Sequence, residues 1–172
     1  MNASPGLPGA GRIVVIAIGN PSRGDDALGP MLVERLGPGW PEAVVTLTEY
    51  QLQIEHVLDL AEASLVLFVD AERGLAGPCR LRELRPDASP TVFSHALSPA
   101  QLLGLYASAV GCAPPPAFVL GLAAEGFEFG APLSERAVAA LEAGCERARA
   151  LLSQPSSSEW RLRCEIGEGG AQ

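Results

Sequence analysis

The feature that most constrains the fold is the stretch IAIGNPSRGDDALGP at residues 16–30, where an apolar segment passes through a glycine- and proline-containing loop into a second apolar segment. Residues 12–18 (RIVVIAI) are β-branched and almost continuously apolar, which is typical of a strand buried on both faces, as in parallel sheets. Residues 27–36 carry apolar side chains at helical spacing, with Pro30 in the first turn, where a helix tolerates it. A strand followed directly by a helix predicts a βαβ unit.

The alternation of strands and helices continues along the chain and predicts an α/β fold. Further strands are expected at residues 43–47, 65–69, 79–84 and 118–122, and further helices at 51–61, 99–110 and 133–152. Because βαβ crossovers are right-handed, this order predicts a single three-layer domain: a mostly parallel twisted sheet of about five strands with helices on both faces. The domain is expected to span residues 12–152, between a flexible N-terminal arm at 1–11 and a flexible C-terminal tail at 153–172.

Composition excludes several classes of protein. The chain has 172 residues, of which 48% are hydrophobic, so a full-sized core is expected. Its net charge of -8 argues against a nucleic-acid-binding protein, which would normally present a basic face. No apolar run approaches the length of a membrane span. The four cysteines form no CxxC pair, and this favours free thiols in a reducing compartment. We therefore expect a cytoplasmic protein that binds neither nucleic acid nor membrane.

The loop after the first strand does not fit a nucleotide site. Gly19 and Gly24 have the spacing of a Walker A loop, but the next two positions, which should be Lys and Ser or Thr, are Asp25 and Asp26. Two carboxylates would repel phosphate. The dinucleotide-binding pattern GxGxxG also fails, because it requires a glycine at Ala17.

A cation fits this edge of the predicted sheet better than phosphate does. Asp26 follows the first strand, Asp70 follows the third, and His95 precedes the predicted helix at 99–110. Because ligands of such folds gather at the carboxyl ends of the strands, these side chains are candidates for one site. Two carboxylates and an imidazole suit divalent nickel, zinc, manganese or iron, with coordination positions left open for substrate or water.

Each candidate residue also has an ordinary structural interpretation. Asp25 or Asp26 could cap the helix that follows, Asp70 could be a turn residue, and His95 could form a hydrogen bond at a helix entry. We favour Asp25 as structural support and Asp26 as the ligand. His56 is interpreted as a surface or packing residue. The sequence lacks the GxSxG motif of serine hydrolases and shows no cysteine at a strand-to-helix elbow.

Three sequence elements, taken in order, resemble the hydrogenase maturation endopeptidases. The first is AIGNPSRGDDALG at residues 17–29, which is similar to the family's glycine–asparagine loop followed by an acidic pair. The second is VDA at 69–71, at the end of an apolar strand, and the third is FSH at 93–95, before a helix. The departures, Ala17 and Ala27 in place of glycines, lie at positions with backbone roles. The QLQIE segment at 51–55 is also found in part of the family.

The resemblance implies a function. Members of this family remove a C-terminal extension from the large-subunit precursor of nickel–iron hydrogenases after nickel has been inserted. Asp26, Asp70 and His95 match the family's nickel-contacting positions, and Asp26 or Asp70 would activate the attacking water. The supporting loop would comprise Gly19, Asn20, Gly24 and Asp25. The nickel would be the precursor's own, so no tightly bound metal is expected in the isolated enzyme, which we expect to be a monomer.

Two alternative functions remain open at the level of sequence. One is a metal-dependent hydrolase with its own tightly bound zinc or manganese, which metal analysis of the purified protein would reveal. The other is a non-catalytic nickel-binding assembly factor, which would bind a precursor subunit without cleaving it.

Overall fold

The apolar segments predicted from the sequence form a central sheet in a computed structural model that describes residues 11–38, 40–89 and 96–164. The strands in these ranges are β1 (Ile13–Ile18), β2 (Val44–Glu49), β3 (Leu65–Arg73), β4 (Cys79–Glu83) and β5 (Ala117–Ala124). The helices are α1 (Leu28–Leu36), α2 (Val57–Ala61), α3 (Pro99–Val110), α4 (Glu135–Ser153) and α5 (Ser157–Arg163). Short 3-10 turns at Gly24–Ala27 and Ile54–His56 lead directly into α1 and α2.

The sheet has the strand order β2-β1-β3-β5-β4. Strand β1 pairs in parallel with both β2 and β3, and β3 pairs in parallel with β5. Strand β4 runs antiparallel to β5 at the edge. The predicted α/β fold with a mostly parallel sheet is therefore confirmed, and the carboxyl ends of β1, β2, β3 and β5 meet along one edge of the sheet.

Both faces of the sheet are covered, because the central strands are apolar on both sides. On β3, Leu65, Leu67 and Val69 belong to a core shared with α1, α4 and α5. Val66 and Phe68 belong to a second core shared with α2 and α3. No helix in the described part of the chain is both long and apolar enough to span a bilayer.

The segment after β2 differs from its prediction. A helix over residues 51–61 was expected, but the backbone forms the 3-10 turn and then the short helix α2. Ile54 and Leu58, both on the predicted apolar face, are 65% and 73% exposed, while Leu60 is buried. His56 is also buried, and its Nδ1 accepts a hydrogen bond of 2.9 Å from the Gln53 backbone N–H. The buried face of this segment therefore includes His56 and Leu60 and excludes Ile54 and Leu58.

The C-terminal boundary predicted at residue 152 is wrong for helix α5. Trp160 on this helix is fully buried and contacts Phe118 edge to face, with 5.3 Å between the ring centroids. Its indole Nε1–H donates a hydrogen bond of 3.0 Å to the carbonyl oxygen of Leu151. A single tryptophan therefore anchors a segment that lacks apolar periodicity. Residues 1–10 of the predicted arm and residues 165–172 of the predicted tail lie outside the described residues.

Candidate functional site

Glycines bring the start of α1 against the ends of two strands. Gly19 leaves β1 with a φ of 145°, and a Cβ there would overlap the carbonyl oxygen of Asp26. A Cβ on Gly29 would lie 2.6 Å from the carbonyl oxygen of Ile18 and 2.8 Å from that of Val69. Helix α1 therefore begins in close contact with the carboxyl ends of β1 and β3. This approach holds Asp26, in the preceding turn, above the sheet edge.

Asp25 fixes the turn to the other half of the chain. Its buried carboxylate accepts hydrogen bonds from the backbone N–H groups of Glu125 (2.7 Å) and Gly126 (3.2 Å). It also accepts bonds from the backbone N–H (2.7 Å) and the hydroxyl (2.8 Å) of Ser134, the N-cap of α4. Burial alone would raise the pKa of Asp25, but these hydrogen bonds outweigh it and lower the pKa. Gly24, with a φ of 52°, allows this close approach, since its Cβ would lie 2.9 Å from the Gly126 carbonyl oxygen.

Asp26 is partly buried and faces the strand ends. Its Oδ2 accepts a hydrogen bond of 3.0 Å from the backbone N–H of Asn20. The Asn20 side chain in turn accepts a bond of 2.9 Å from the Ser22 N–H, which shapes the loop. Within the described residues, Oδ1 of Asp26 receives no hydrogen bond, so this oxygen is available to a ligand.

Asp70 lies within β3 and not at its end as predicted, because the strand continues to Arg73. The pairing of β1 with β3 nevertheless stops one residue earlier, where Ala17 faces Val69. On its other side Asp70 pairs with Gly121 of β5. Asp70 is therefore the first residue of β3 beyond the pairing with β1, level with Ile18 at the end of β1, which places it at the same sheet edge as Asp26.

The two aspartates are electrostatically coupled. Burial, with smaller contributions from the negative charges of Asp26 and Glu72, raises the pKa of Asp70 to about 6 despite a hydrogen bond from the Ala71 N–H. That bond joins the Ala71 N–H to the Asp70 Oδ1 at 2.8 Å. The charge of Asp26 therefore acts on Asp70, in keeping with the position of both residues at the carboxyl edge of the sheet. A cation bound at this edge would offset the burial of Asp70.

A cleft of about 340 Å³ opens beside Asp70. Its lining residues come from β3, β4, β5 and the start of α3: Asp70, Ala71, Glu72, Arg82, Leu84, Ser98, Pro99, Ala100 and Val119. Ser98 caps α3, since its hydroxyl accepts a bond of 3.2 Å from the Gln101 N–H. The chain that follows His95 therefore lines the same cleft as Asp70. His95 itself lies outside the described residues, together with the rest of the FSH motif.

The three-ligand set stays a prediction. In the ranges that the structure describes, no three His, Cys, Asp or Glu side chains are grouped so that they could hold a metal ion. The predicted set contains two carboxylates from these ranges, Asp26 and Asp70, and one residue from outside them, His95. The carboxylates are at the predicted edge, and their chemistry suits a divalent cation.

Sequence reasoning missed an ion-pair cluster next to Asp70. Glu72 extends from β3 across Gly121 to Arg80 and Arg82 on β4, with 3.3 Å between its Oε2 and the Arg82 guanidinium. A Cβ on Gly121 would overlap the Glu72 carboxylate, so the glycine provides the path across β5. Two sequence features could have indicated this cluster: the i, i+2 spacing of Arg80 and Arg82, and Gly121 within an otherwise apolar strand.

Comparisons with known proteins agree with this architecture. No protein-family model matches the chain, and no curated protein matches it. The structure is similar to that of the hydrogenase maturating endopeptidase HybD from E. coli, with a TM-score of 0.60, 27% identity, and coverage of 84% of this chain and 94% of that one.

Two archaeal structures have the same fold. The nickel–iron hydrogenase maturation protease HycI from Thermococcus kodakarensis has a TM-score of 0.63 and 23% identity, covering 84% of this chain and 94% of that one. The hydrogenase 2 maturation peptidase from a Thaumarchaeota archaeon has a TM-score of 0.60 and 24% identity, covering 83% and 98%. The resemblance to the hydrogenase maturation endopeptidases, predicted from the strand-end motifs, is therefore confirmed by a shared fold over most of the chain.

Proposed function

We propose that this protein is an endopeptidase that removes the C-terminal extension of a nickel-loaded large-subunit precursor of a nickel–iron hydrogenase. The observation that supports the proposal is the strand register, which ends the pairing of β1 with β3 just before Asp70 and puts it at the edge where the turn carrying Asp26 begins, beside an open cleft. The similarity to HybD from E. coli, a hydrogenase maturating endopeptidase, supports a protease role in hydrogenase maturation.

Asp26 and Asp70, together with His95, would contact the nickel that the precursor carries. Oδ1 of Asp26 is available, and a cation beside Asp70 would offset the burial that raises its pKa to about 6 in the metal-free protein. Carboxylate and imidazole ligands suit a divalent first-row metal. Because no cysteine belongs to these motifs, the site would be modest in affinity, so the isolated enzyme would hold no tightly bound metal.

The cleft beside Asp70 offers a place for the scissile segment. Its walls combine a strand edge with the N-terminal end of α3, and its volume of about 340 Å³ accommodates a few residues of extended chain. Nickel bound at this edge would polarise the scissile carbonyl and place it beside the two carboxylates. Asp26 or Asp70 would then orient and deprotonate the attacking water. The enzyme would act as a cytoplasmic monomer on its precursor.

The direct test is incubation of the purified protein with nickel-loaded and nickel-free precursor under chelation, followed by intact-mass measurement. Loss of the extension from the nickel-loaded precursor alone is the expected result. The variants Asp26→Asn, Asp70→Asn and His95→Ala should each abolish cleavage. Glu142→Gln makes the same carboxylate-to-amide change on an exposed face of α4 and should cleave normally.

Other outcomes would identify the alternative functions. A stoichiometric metal that survives purification would favour a hydrolase with its own zinc or manganese. Binding of the precursor without any cleavage would favour a non-catalytic nickel-binding assembly factor. Efficient cleavage of nickel-free precursor would contradict recognition through the precursor's metal.

A further inference from the structure

A second cleft, of about 680 Å³, lies at the same edge of the molecule. It is lined by Arg23, Arg73, Phe127, Glu128 and Phe129, and we call it the Arg/Phe cleft. Two of its lining residues are close in the sequence to the candidate site. Arg23 lies three residues before Asp26, and Arg73 ends the strand that carries Asp70.

The two arginines of this cleft are held in place without a carboxylate partner. The Arg23 Nε–H donates a hydrogen bond of 3.2 Å to the carbonyl oxygen of Phe127, and the Arg73 guanidinium lies 4.5 Å from the centroid of the Phe127 ring. Across the described residues, neither arginine forms an ion pair, whereas Arg80 and Arg82 both pair with Glu72. Stacking uses the face of a guanidinium and leaves its in-plane N–H groups free to donate.

The aromatic wall of the cleft is also fixed in position. Phe129 is 82% exposed, and Phe127 is half-buried beneath Arg73. The next residue, Gly130, donates its backbone N–H to the carbonyl oxygen of Ser22 over 2.8 Å, which ties this loop to the one that carries Arg23. Phe129 and the exposed part of Phe127 therefore give the cleft an apolar wall beside its two arginines.

We propose that the Arg/Phe cleft binds a segment of the precursor polypeptide in which an acidic side chain lies next to an apolar one. The proposal rests on the proposed function. Arg23 and Arg73 would bind the carboxylate, for which a guanidinium offers paired N–H donors, and Phe129 would contact the apolar neighbour. Two arginines against the single carboxylate of Glu128 leave the cleft lining net positive on a chain of net charge -8, which favours an acidic partner.

The two clefts lie on opposite sides of the sheet near its carboxyl edge. Asp70 and Arg73 are three residues apart on β3, so their side chains leave opposite faces of the strand. A precursor segment bound at the Arg/Phe cleft would therefore cross the sheet edge to reach Asp70, and more than about three residues would separate it from the peptide bond presented there. The cleft would set the register of the substrate, and the paired aspartates would carry the chemistry.

The test measures binding and cleavage of nickel-loaded precursor by the charge-reversed double variant Arg23→Glu/Arg73→Glu. We expect precursor binding, measured by calorimetry, to weaken about tenfold or more, and KM to rise similarly with kcat unchanged. The salt dependence of binding should also decrease. Arg149→Glu changes an exposed arginine far along α4 and should bind as the unaltered protein does.

Phe129→Ala provides a second variant that does not threaten the fold, because its ring is almost fully exposed. It should weaken binding several-fold, in line with the loss of one exposed aromatic contact. Unchanged binding and KM in both variants would overturn the role of the cleft while leaving the protease function intact. If the precursor binds through the cleft but is not cleaved, the protease function is refuted and the binding role of the cleft is supported.

Two further outcomes would also overturn the proposal. If the unaltered protein is a dimer by sedimentation and the charge-reversed variant is a monomer, the cleft holds a second copy of this chain. If the unaltered protein binds no precursor, both the cleft's role and the proposed function fail.

Discussion

Because Asp70 is buried, we expect its ionised carboxylate to destabilise the metal-free protein at neutral pH. Its pKa is about 6 in the folded state against an ordinary value of 3.8, a difference that corresponds to about 3 kcal/mol. The folded state binds this proton more tightly than the unfolded chain does. The stability contributed by the protonated Asp70 is therefore fully present below about pH 4, is lost as the pH rises through about 6, and is absent above that.

The substitution Asp70→Asn tests this reasoning, because asparagine has almost the same shape and no charge. In the presence of a chelator, the variant should be more stable than the unaltered protein by up to about 3 kcal/mol at pH 8. At pH 4 the two proteins should differ by less than about 0.5 kcal/mol, since the aspartate is then largely protonated. The free energy of unfolding from urea titrations at both pH values gives the comparison.

Glu142→Gln is the matched control, since this exposed carboxylate loses its charge without leaving a buried site. It should change the free energy of unfolding by less than about 0.5 kcal/mol at either pH. An Asp70→Asn variant that is no more stable at pH 8, or equally more stable at both pH values, would refute burial as the cause. The same variant should lack processing activity, so a gain in stability would accompany a loss of function.

Three further predictions concern the support of the site. Asp25→Asn should lower the free energy of unfolding by about 2–4 kcal/mol in urea titrations above pH 5, because an amide group cannot accept all of the donors that face the carboxylate; a loss under 1 kcal/mol would contradict this. Trp160→Ala should cost about 3–5 kcal/mol by the same measurement, whereas a mobile tail would show no change. Gly121→Ala should displace Glu72 and lower the free energy of unfolding by about 1–3 kcal/mol in thermal melts. Gly77→Ala, whose added Cβ would meet no close neighbour, should lower it by less than Gly121→Ala does.

The fold could be predicted because the strands are almost continuously apolar. The continuous apolar character of residues 12–18 and 65–69 predicts strands buried on both faces. Helices that cover both sides of a parallel sheet account for this pattern. The position of Asp26 and Asp70 at one edge of the sheet could be predicted from topology alone, since the carboxyl ends of parallel strands share an edge. Neither prediction required knowledge of any side-chain contact.

The missed features depend on contacts that local patterns do not encode. The segment before β3 buries His56 and Leu60 and exposes Ile54 and Leu58, a choice of face that helical spacing does not decide. Helix α5 is held by one large side chain, Trp160, in a segment whose composition indicates a tail. The Glu72 cluster crosses three strands, so its partners could be identified only after the strand order was known.

The hydrogen bonds of Asp25 also have a consequence for protein synthesis. All of its donors come from residues 125, 126 and 134, more than 95 positions further along the chain, since the bond to Glu125 spans 100 residues. A ribosome-bound chain that ends before residue 134 has the acidic loop but lacks the donors of Ser134. Such a chain leaves the Asp25 carboxylate without two of its four hydrogen bonds. The order of translation therefore delays completion of this hydrogen-bond network until residue 134 has emerged.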